Sequence, residues 1–133
     1  MNQMPTYDVI QHSLNAMGHS APRAEHMRKL AQIMQHPNMR VHQFGNSVFM
    51  VLEIQPHVGV LSMHNADAPR ELVRSTIEAM HWMKHTLHLR AVVFQSDNPA
   101  IHTLAQMMVR HAGIPGMRLT PGPRGQHVLY LGD

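Results

Sequence analysis

Apolar residues recur at three- and four-residue steps between Val73 and Leu87, which is the spacing of one face of a helix. The stripe consists of Val73, Ile77, Met80, Lys84 and Leu87, and only Lys84 is polar. Asp67 and Pro69 precede it. An Asp N-cap accepts hydrogen bonds from the free amides of the first turn, and proline has no amide hydrogen that needs an acceptor there. The pattern therefore predicts a long helix that Asp67 caps.

A strand and a second helix are predicted after this helix. The strand runs from Arg90 to Gln95, and its short apolar run is typical of a central strand covered on both faces. Asp97 or Asn98 then caps a helix that Gly113 ends. The apolar positions of this helix are Ile101, Leu104, Ala105, Met108 and Ala112.

Turn residues divide the segment before the long helix into three strands. Met39 to Phe44 and Ser47 to Ile54 are separated by Gly45-Asn46, and Val58 to Met63 follows a second turn. We expect an antiparallel meander. Because a long helix joins the third strand to the strand at 90–95, those two strands should be parallel, with a right-handed crossover.

Two shorter helices are predicted at the start of the chain. The first runs from Tyr7 to Gly18, and its apolar side consists of Val9, Ile10, Leu14 and Met17. The second runs from Ala21 to Gln35, with Ser20 as its cap, Pro22 in its first turn and Pro37 after its end. The residues that it should bury are Met27, Leu30, Ala31 and Met34.

The last segment holds one clear strand, Gln126 to Leu131, and Met117 to Thr120 is a candidate partner for it. The predicted order is two helices, an antiparallel meander, a long helix, a central parallel strand, a helix and a C-terminal strand. This order describes an α/β protein with a mixed sheet. At 133 residues we expect a single domain over residues 1–133, with a core that needs neither disulfide nor metal.

Composition narrows the class of protein further. The chain has no cysteine, which excludes a disulfide framework and a thiolate zinc site. It has no apolar run long enough to span a membrane and no basic segment followed by an apolar one at its start, so we expect a soluble protein that is not exported.

Charged residues make up 14% of the chain, against roughly 25% in typical soluble domains, and thirteen His and thirteen Met take their place. A weakly charged, Met-rich surface is suited to burial against partner proteins. A composition typical of the source lineage explains the same numbers equally well. The formal net charge is +3.

The stretch VVFQSDNPAIHTLAQMMVRHAGI resembles a motif of the GNAT superfamily of N-acetyltransferases. In that family a strand is followed by an Asn that opens a helix, and the helix ends in Gly and an apolar residue, as at Asn98, Gly113 and Ile114. The resemblance covers roughly residues 6 to 131, with about one additional helical turn before Gly113. It implies the GNAT fold, with its mixed sheet.

The segment that would bind the cofactor departs from the family pattern. Family members place an Arg or Gln and two small residues, usually glycines, before the long helix, so that bare amides hold the pyrophosphate of acetyl-CoA. The corresponding residues here include no glycine and are His64, Asn65, Ala66, Asp67, Ala68, Pro69 and Arg70. The Asp67 carboxylate would occupy the amides that the pyrophosphate needs, and Arg70 would offset this only in part. We therefore expect a degenerate site, including Asn98, that holds no cofactor.

Candidate catalytic groups are few. The Tyr that often serves as general acid in the family falls at Ala105, which has no proton to give. Glu53, His57 and His64 lie near strand ends, where the family places a general base. Each has a simpler interpretation, Glu53 as an outward strand residue and the two histidines as turn residues.

These departures favour a structural function over a reaction. Degenerate domains of this size resemble a small internal virion protein of short-tailed phages, which implies a non-catalytic assembly protein in a virion or the host cytoplasm. Its partners would be other virion proteins or copies of itself. The alternative is an active acetyl-CoA-dependent N-acyltransferase, which would need room for the pyrophosphate despite Asp67.

Two other kinds of site are weaker candidates. His81, His85 and His88 have the spacing of one helix face and could bind zinc, nickel or copper, although a solvated polar face is the simpler interpretation. Arg118 and Arg124 flank a Gly- and Pro-rich loop, and with Lys84 and Arg90 they could contact nucleic acid phosphates, but a nucleic-acid interface usually has denser basic clustering.

Overall fold

The computed structural model of the protein describes residues 3–16, 18 and 23–132. The helices in this part of the chain are α1 (Thr6–Ala16), α2 (Arg23–Met34), α3 (Pro69–His81) and α4 (Pro99–His111). The strands are β1 (Met39–Phe44), β2 (Ser47–Gln55), β3 (Val58–Asn65), β4 (Ala91–Gln95), β5 (Met117–Pro121) and β6 (Gln126–Leu131). The predicted element order is confirmed. The predicted roles of Met17, Ser20, Ala21 and Pro22 fall outside the described residues.

The six strands form one mixed sheet in the order β1-β2-β3-β4-β6-β5. The meander β1-β2-β3 is antiparallel, and β1 and β2 pair from Phe44↔Ser47 at the turn to Met39↔Leu52. Gly45 in that turn has φ 57°, a left-handed conformation that glycine adopts without strain. β4 is parallel to β3 and antiparallel to β6, and β5 pairs with β6. The predicted meander, parallel crossover and C-terminal pairing are therefore all correct.

Each face of the sheet has its own apolar core, because side chains alternate along β2. Phe49 and Val51 belong to the larger core with residues of α3, α4, β4 and β6. Val48 and Met50 belong to the smaller core with residues of α1 and α2. The two helix pairs thus cover opposite faces, and any opening between strands connects one face with the other.

The end of α3 differs from the predicted continuous helix. The chain continues past His81 into a π-helical turn, Trp82–Thr86, in which the amide of Leu87 bonds to the carbonyl of Trp82. Met83 is buried in the core, three residues after the buried Met80 and four after the buried Ala79, as on one face of an α-helix. The sequence placed Lys84 on the apolar stripe, but its ammonium group donates a hydrogen bond to the carbonyl of Leu131 at 2.7 Å. None of the helices in the described ranges has the length and apolar character that crossing a membrane requires.

Candidate active site

The strands β3 and β4 pair only at their beginnings. Their parallel register contains Val58↔Ala91, Gly59↔Val92 and Val60↔Val93 and ends there. Beyond Val60, β3 continues to Asn65 with its other edge still paired to β2, whereas β4 continues to Gln95 paired to β6. The two strands therefore diverge, and the edge of β3 that faces β4 has no strand partner over residues 61–65.

A cavity of about 750 Å³ fills the space between the diverging strands. Its lining includes Ser13 and Ala16 of α1 together with residues of α3 and α4. Because α1 covers one face of the sheet and α3 and α4 cover the other, the cavity passes through the plane of the sheet. The cavity thus has walls from both layers of helices.

The side of the cavity next to α1 carries His64, which is in β3 and not in a turn as the sequence suggested. Its Nδ1 lies 3.4 Å from the hydroxyl of Ser13. Burial lowers the pKa of His64 below its ordinary value of 6.5, because the charged imidazolium is poorly solvated there. The ring is consequently neutral at pH 7 and able to accept a proton.

Further polar groups come from the ends of β3 and β4. Asn65, Gln95 and Ser96 line the cavity, and Asn98 lies just beyond them as the N-cap of α4. The Asn98 side chain accepts a hydrogen bond from the amide of Ala100 at 3.0 Å, which confirms the predicted cap. Asp97, the other predicted cap, does not fill this position. The position of Gln95 and Ser96 after a parallel strand is a signal that sequence analysis could have used.

Asp67 does not cap α3, and the prediction that it does is wrong. The N-cap is Ala68, with no side-chain cap. The Asp67 carboxylate turns back toward β2, where it accepts hydrogen bonds from the Asn46 amide at 3.0 Å and from the hydroxyls of Ser47 at 2.7 Å and Ser75 at 2.9 Å. These three donors satisfy the hydrogen-bonding capacity of the carboxylate, so Asp67 accepts no hydrogen bond from the first-turn amides of α3, but its negative charge stays next to the start of the helix.

The free amides of α3 are accordingly those of its first turn. The amide of Leu72 bonds to the carbonyl of Ala68, and Pro69 has no amide hydrogen, which leaves Arg70 and Glu71 as the donors without an intrahelical acceptor. The side chain of Arg70 is exposed. These amides are therefore more accessible to an anion than the sequence suggested, whereas the negative charges of Asp67 and Glu71 beside them oppose its binding.

The other two candidate bases lie at the opposite end of β3. Glu53 accepts a hydrogen bond from the amide of His57 at 3.1 Å, beside the turn that begins β3. His57 has φ 67°, and its Nδ1 lies 2.9 Å from the carbonyl of His88. Neither residue lines the cavity. Of the three candidates, only His64 reaches it.

The histidines proposed for metal do not share a helix face. α3 ends at His81, the π-helical turn changes the spacing, and His88 has φ 57°, outside any helix. His81 and His85 stack at 5.5 Å, and Nε2 of His81 lies 2.6 Å from the carbonyl of Ala112. Among the described residues, no three His, Cys, Asp or Glu side chains could together hold a metal ion.

The structure also shows contacts for two of the basic residues considered for nucleic acid. Arg118 lies over the ring of Tyr130, with its guanidinium carbon 4.4 Å from the ring centre. Lys84 is held at the Leu131 carbonyl, as described above. Both side chains thus have partners within the chain.

No protein-family profile matches the chain, and no curated protein matches its sequence. The N-acetyltransferase PseH of Campylobacter jejuni has a similar structure, with a TM-score of 0.60, 14% identity and coverage of 83% of this chain and 79% of PseH. PseH in complex with acetyl coenzyme A is also similar, with a TM-score of 0.56, 13% identity and the same coverage.

Two other similar structures cover more of the chain. A variant of the spermidine N-acetyltransferase SpeG of Vibrio cholerae has a TM-score of 0.56 and 14% identity, over 96% of this chain and 90% of its own. A GNAT-family acetyltransferase of Streptococcus pneumoniae has a TM-score of 0.53 and 14% identity, over 96% and 95%.

The chain has the GNAT fold. The resemblance seen in the sequence is thus confirmed at the level of the fold, with the mixed sheet and helices in the predicted order. In the GNAT fold of this chain, the cavity lies where β3 and β4 separate. The comparisons give no support to the similarity with an internal virion protein.

Proposed function

We propose that the protein is an acetyl-CoA-dependent N-acyltransferase. The observation that carries the proposal is the cavity between β3 and β4, which is lined by residues from both faces of the sheet and contains a histidine whose pKa is lowered by burial. The structural neighbours include N-acetyltransferases, one of them in complex with acetyl coenzyme A. One part of the opposing argument from sequence was that Asp67 caps α3, and Asp67 has a different role. The absence of glycine before α3 and the alanine at position 105 still depart from the family pattern.

The unpaired edge of β3 fits the pantetheine arm of the cofactor. This arm carries amide groups, and the backbone of residues 61–65 presents amides and carbonyls toward β4 with no strand to pair with. An extended ligand can add to such an edge as a further strand would. Acetyl-CoA, when bound, supplies an acyl group activated as a thioester.

The start of α3 is the part of the chain that would hold the pyrophosphate. The amides of Arg70 and Glu71 and the exposed Arg70 side chain are the groups that favour an anion there. The segment has no glycine, and Pro69 provides no donor. We therefore expect the arm in the cavity to contribute more of the affinity than the pyrophosphate does.

His64 is the group that we assign as general base. When the acceptor amine forms its new bond to the acyl carbon, it must lose a proton, and a neutral imidazole beside the cavity can accept it. The contact of Nδ1 with Ser13 orients the ring and leaves Nε2 for this proton. A thiolate is a far less basic leaving group than an amine anion, so the reaction needs no dedicated acid at Ala105.

The side chains that line the cavity indicate which kind of amine can accept the acyl group. Its polar side chains are neutral hydroxyls, amides and one histidine, and no acidic residue occurs among the described residues that line it. A polycation such as spermidine would need carboxylates close by. We infer that the acceptor is a primary amine without several positive charges.

The proposal is tested by measuring transfer of the acetyl group from acetyl-CoA to a panel of monoamines, amino sugars and peptide N-termini at pH 7.5. Wild type should acetylate at least one class, and His64→Gln should lower kcat by about 10²- to 10⁴-fold. His57→Gln is the matched control and should keep the wild-type rate. Equal rates for His64→Gln and wild type would contradict the role of His64.

A further inference from the structure

Three valines lie side by side across the middle of the sheet. Val60 of β3 pairs with Val93 of β4, and Val93 pairs with Val128 of β6, so the three side chains stand on one face in a line across three strands. We call these three residues the valine row. Leu61, the next residue of β3, packs against the larger core. Because side chains alternate along a strand, the valine row points to the opposite face, which is the face of α1 and α2.

The valine row lies outside both apolar cores. On its face of the sheet, the main contacts of α1 are with β2 and β3, and α2 contacts β1. Among the described residues, neither core includes any of the three valines. Val60 is 37% exposed, and Val93 and Val128 are partly exposed. Parallel strands are normally covered on both faces, so the valine row at the β3–β4 pair leaves a place for a further apolar group.

The valine row lies on the same face as the proposed general base. Val60, Ser62 and His64 alternate along β3 and therefore share one face of the sheet. At about 3.3 Å per residue, the Cα atom of His64 lies about 13 Å from that of Val60. Between them, Ser62 and Gln95 line the cavity. An amine that gives its proton to His64 can thus extend along this face to the valine row.

The size of the valine row limits what can occupy it. With strands about 4.8 Å apart and about 6.6 Å between residues on one face, three valines on three strands present an area on the order of 100 Å². A stable protein dimer buries about 800 Å² on each partner, which is far more. An aromatic side chain buries about 150–250 Å² over its two faces, so one face of a ring matches the row. The row is therefore suited to a single aromatic group and not to a second copy of the chain.

We propose that the valine row binds the hydrocarbon end of the acceptor, so that the preferred acceptor is a primary amine that carries an aromatic group on a short chain. This inference rests on the proposed function, because it assumes that the amine reacts beside His64. Valine suits this role, since its branched side chain has few rotamers and forms a firm apolar surface. The three valines would then determine acceptor specificity without taking part in the reaction.

The test compares acetyl transfer from acetyl-CoA to 4-phenylbutylamine and to butylamine, which differ only by the phenyl group. The value of kcat/KM should be at least about tenfold higher for 4-phenylbutylamine, as expected when an apolar ring leaves water. Equal values would overturn the proposal while leaving the proposed function intact. No transfer to any amine would overturn the proposed function, and this inference with it.

Two variants show whether the preference comes from the valine row. Val93→Thr replaces a methyl group by a hydroxyl at nearly the same size and should lower the ratio of the two kcat/KM values at least threefold. Val60→Thr makes the same change on β3 if the first variant does not fold. Ile33→Thr is the control, since Ile33 is 47% exposed on α2, and it should keep the wild-type ratio. An unchanged ratio in a folded variant of the row would overturn the proposal.

Two further measurements do not depend on turnover. In methyl NMR of valine-labelled wild type, 4-phenylbutylamine should shift the signals of Val60, Val93 and Val128 more than those of the other valines, and unshifted signals would overturn the proposal. Sedimentation of wild type should show a monomer. A dimer that Val93→Arg dissociates would show that a second copy covers the valine row and would also overturn the proposal.

Discussion

The Oδ2 atom of Asp67 lies 2.9 Å from the hydroxyl of Ser75, in the second turn of α3. The same carboxylate accepts from the amide of Asn46 and lies 2.7 Å from the hydroxyl of Ser47, which is completely buried. Asp67 therefore joins the β1–β2 turn, the start of β2 and α3. This arrangement fixes the start of α3 relative to the sheet, beside the cavity.

Replacement of Asp67 should destabilise the protein. Asp67→Ala removes the acceptor of the Asn46 amide and of the buried Ser75 hydroxyl, and one of the two acceptors beside Ser47, so it should lower the free energy of unfolding by about 2–4 kcal/mol. Asp67→Asn, which keeps one oxygen acceptor and the same size, should cost less. Chemical denaturation of both variants measures the difference. A loss below about 0.5 kcal/mol for Asp67→Ala would show that the network does not stabilise the fold.

The Asp67→Asn variant also distinguishes a carboxylate that caps α3 from one that bonds to Asn46, Ser47 and Ser75. If its carboxylate capped α3, Asp67→Asn would remove a competing charge from the free amides and raise the affinity for CoA. Because the carboxylate contacts Asn46, Ser47 and Ser75 instead, we expect only the gain that removal of a nearby charge gives, less than about fivefold. A tenfold gain in acetyl-CoA binding by folded Asp67→Asn would restore the capping role.

His64 should make the stability of the protein depend on pH in a defined window. Burial lowers its pKa in the folded state, so the unfolded chain takes up this proton first as the pH falls through 6.5. Above about pH 6.5 His64 is neutral in both states and does not change the stability. As the pH falls from about 6.5 toward the lower pKa of the folded state, the free energy of unfolding decreases. His64→Gln should remove this part of the loss, whereas His57→Gln should not.

Denaturation curves of wild type and both variants between pH 5 and 8 measure this effect. The free energy of unfolding of wild type should fall more steeply below pH 6.5 than that of His64→Gln. Parallel curves would show that the environment of His64 does not disfavour its charge. The rate of acyl transfer should have an acidic limb below pH 6.5, since only the neutral ring accepts a proton.

Gly59 permits the close packing of β3 against β2 at the point where β3 still pairs with β4. A Cβ atom at this position would overlap Cγ1 of Val51, which is 1% exposed. Gly59→Ala should therefore destabilise the protein by about 1–3 kcal/mol. Val51→Ala removes the overlapping atom, so the double variant should be less destabilised than the sum of the two single variants, as a thermal denaturation cycle would show. Additive losses would exclude this contact as the cause.

Asn98 begins α4 at the mouth of the cavity. Its side chain accepts from the amide of Ala100, so Asn98→Ala should cost about 1 kcal/mol of stability. Asn98→Asp keeps the acceptor and should remain within a few tenths of a kcal/mol of wild type. Thermal denaturation distinguishes them, and an equal loss for both would argue against the cap.

The fold was predictable because local signals agree with it. Each strand boundary is marked by turn residues such as Gly45-Asn46, and the apolar positions of α4 that sequence analysis selected are those that the core buries. The buried face of α3 includes the polar Ser75 and Thr76, which an apolar pattern does not select, so the stripe was placed one residue off and included Lys84 instead of Met83.

The site was less predictable because it depends on contacts between distant residues. Asp67 has the sequence context of an N-cap, but Asn46 and Ser47, about twenty residues earlier, compete for its carboxylate. Ser13 lies 51 residues from His64, and nothing in the sequence relates the two. The cavity itself depends on where the pairing of β3 and β4 ends, which no residue pattern marks.

The measurement that tests the central claim most directly is calorimetric titration of wild type and two tryptophan variants with acetyl-CoA. Ser62 lies on the exposed edge of β3 and lines the cavity, so Ser62→Trp should block the space between the strands. Thr103→Trp places the same ring on the exposed side of α4 as the control. We predict micromolar binding by wild type and by Thr103→Trp, and binding at least tenfold weaker by Ser62→Trp. No binding by wild type, or equal binding by all three proteins, would contradict an acyl-CoA site between β3 and β4.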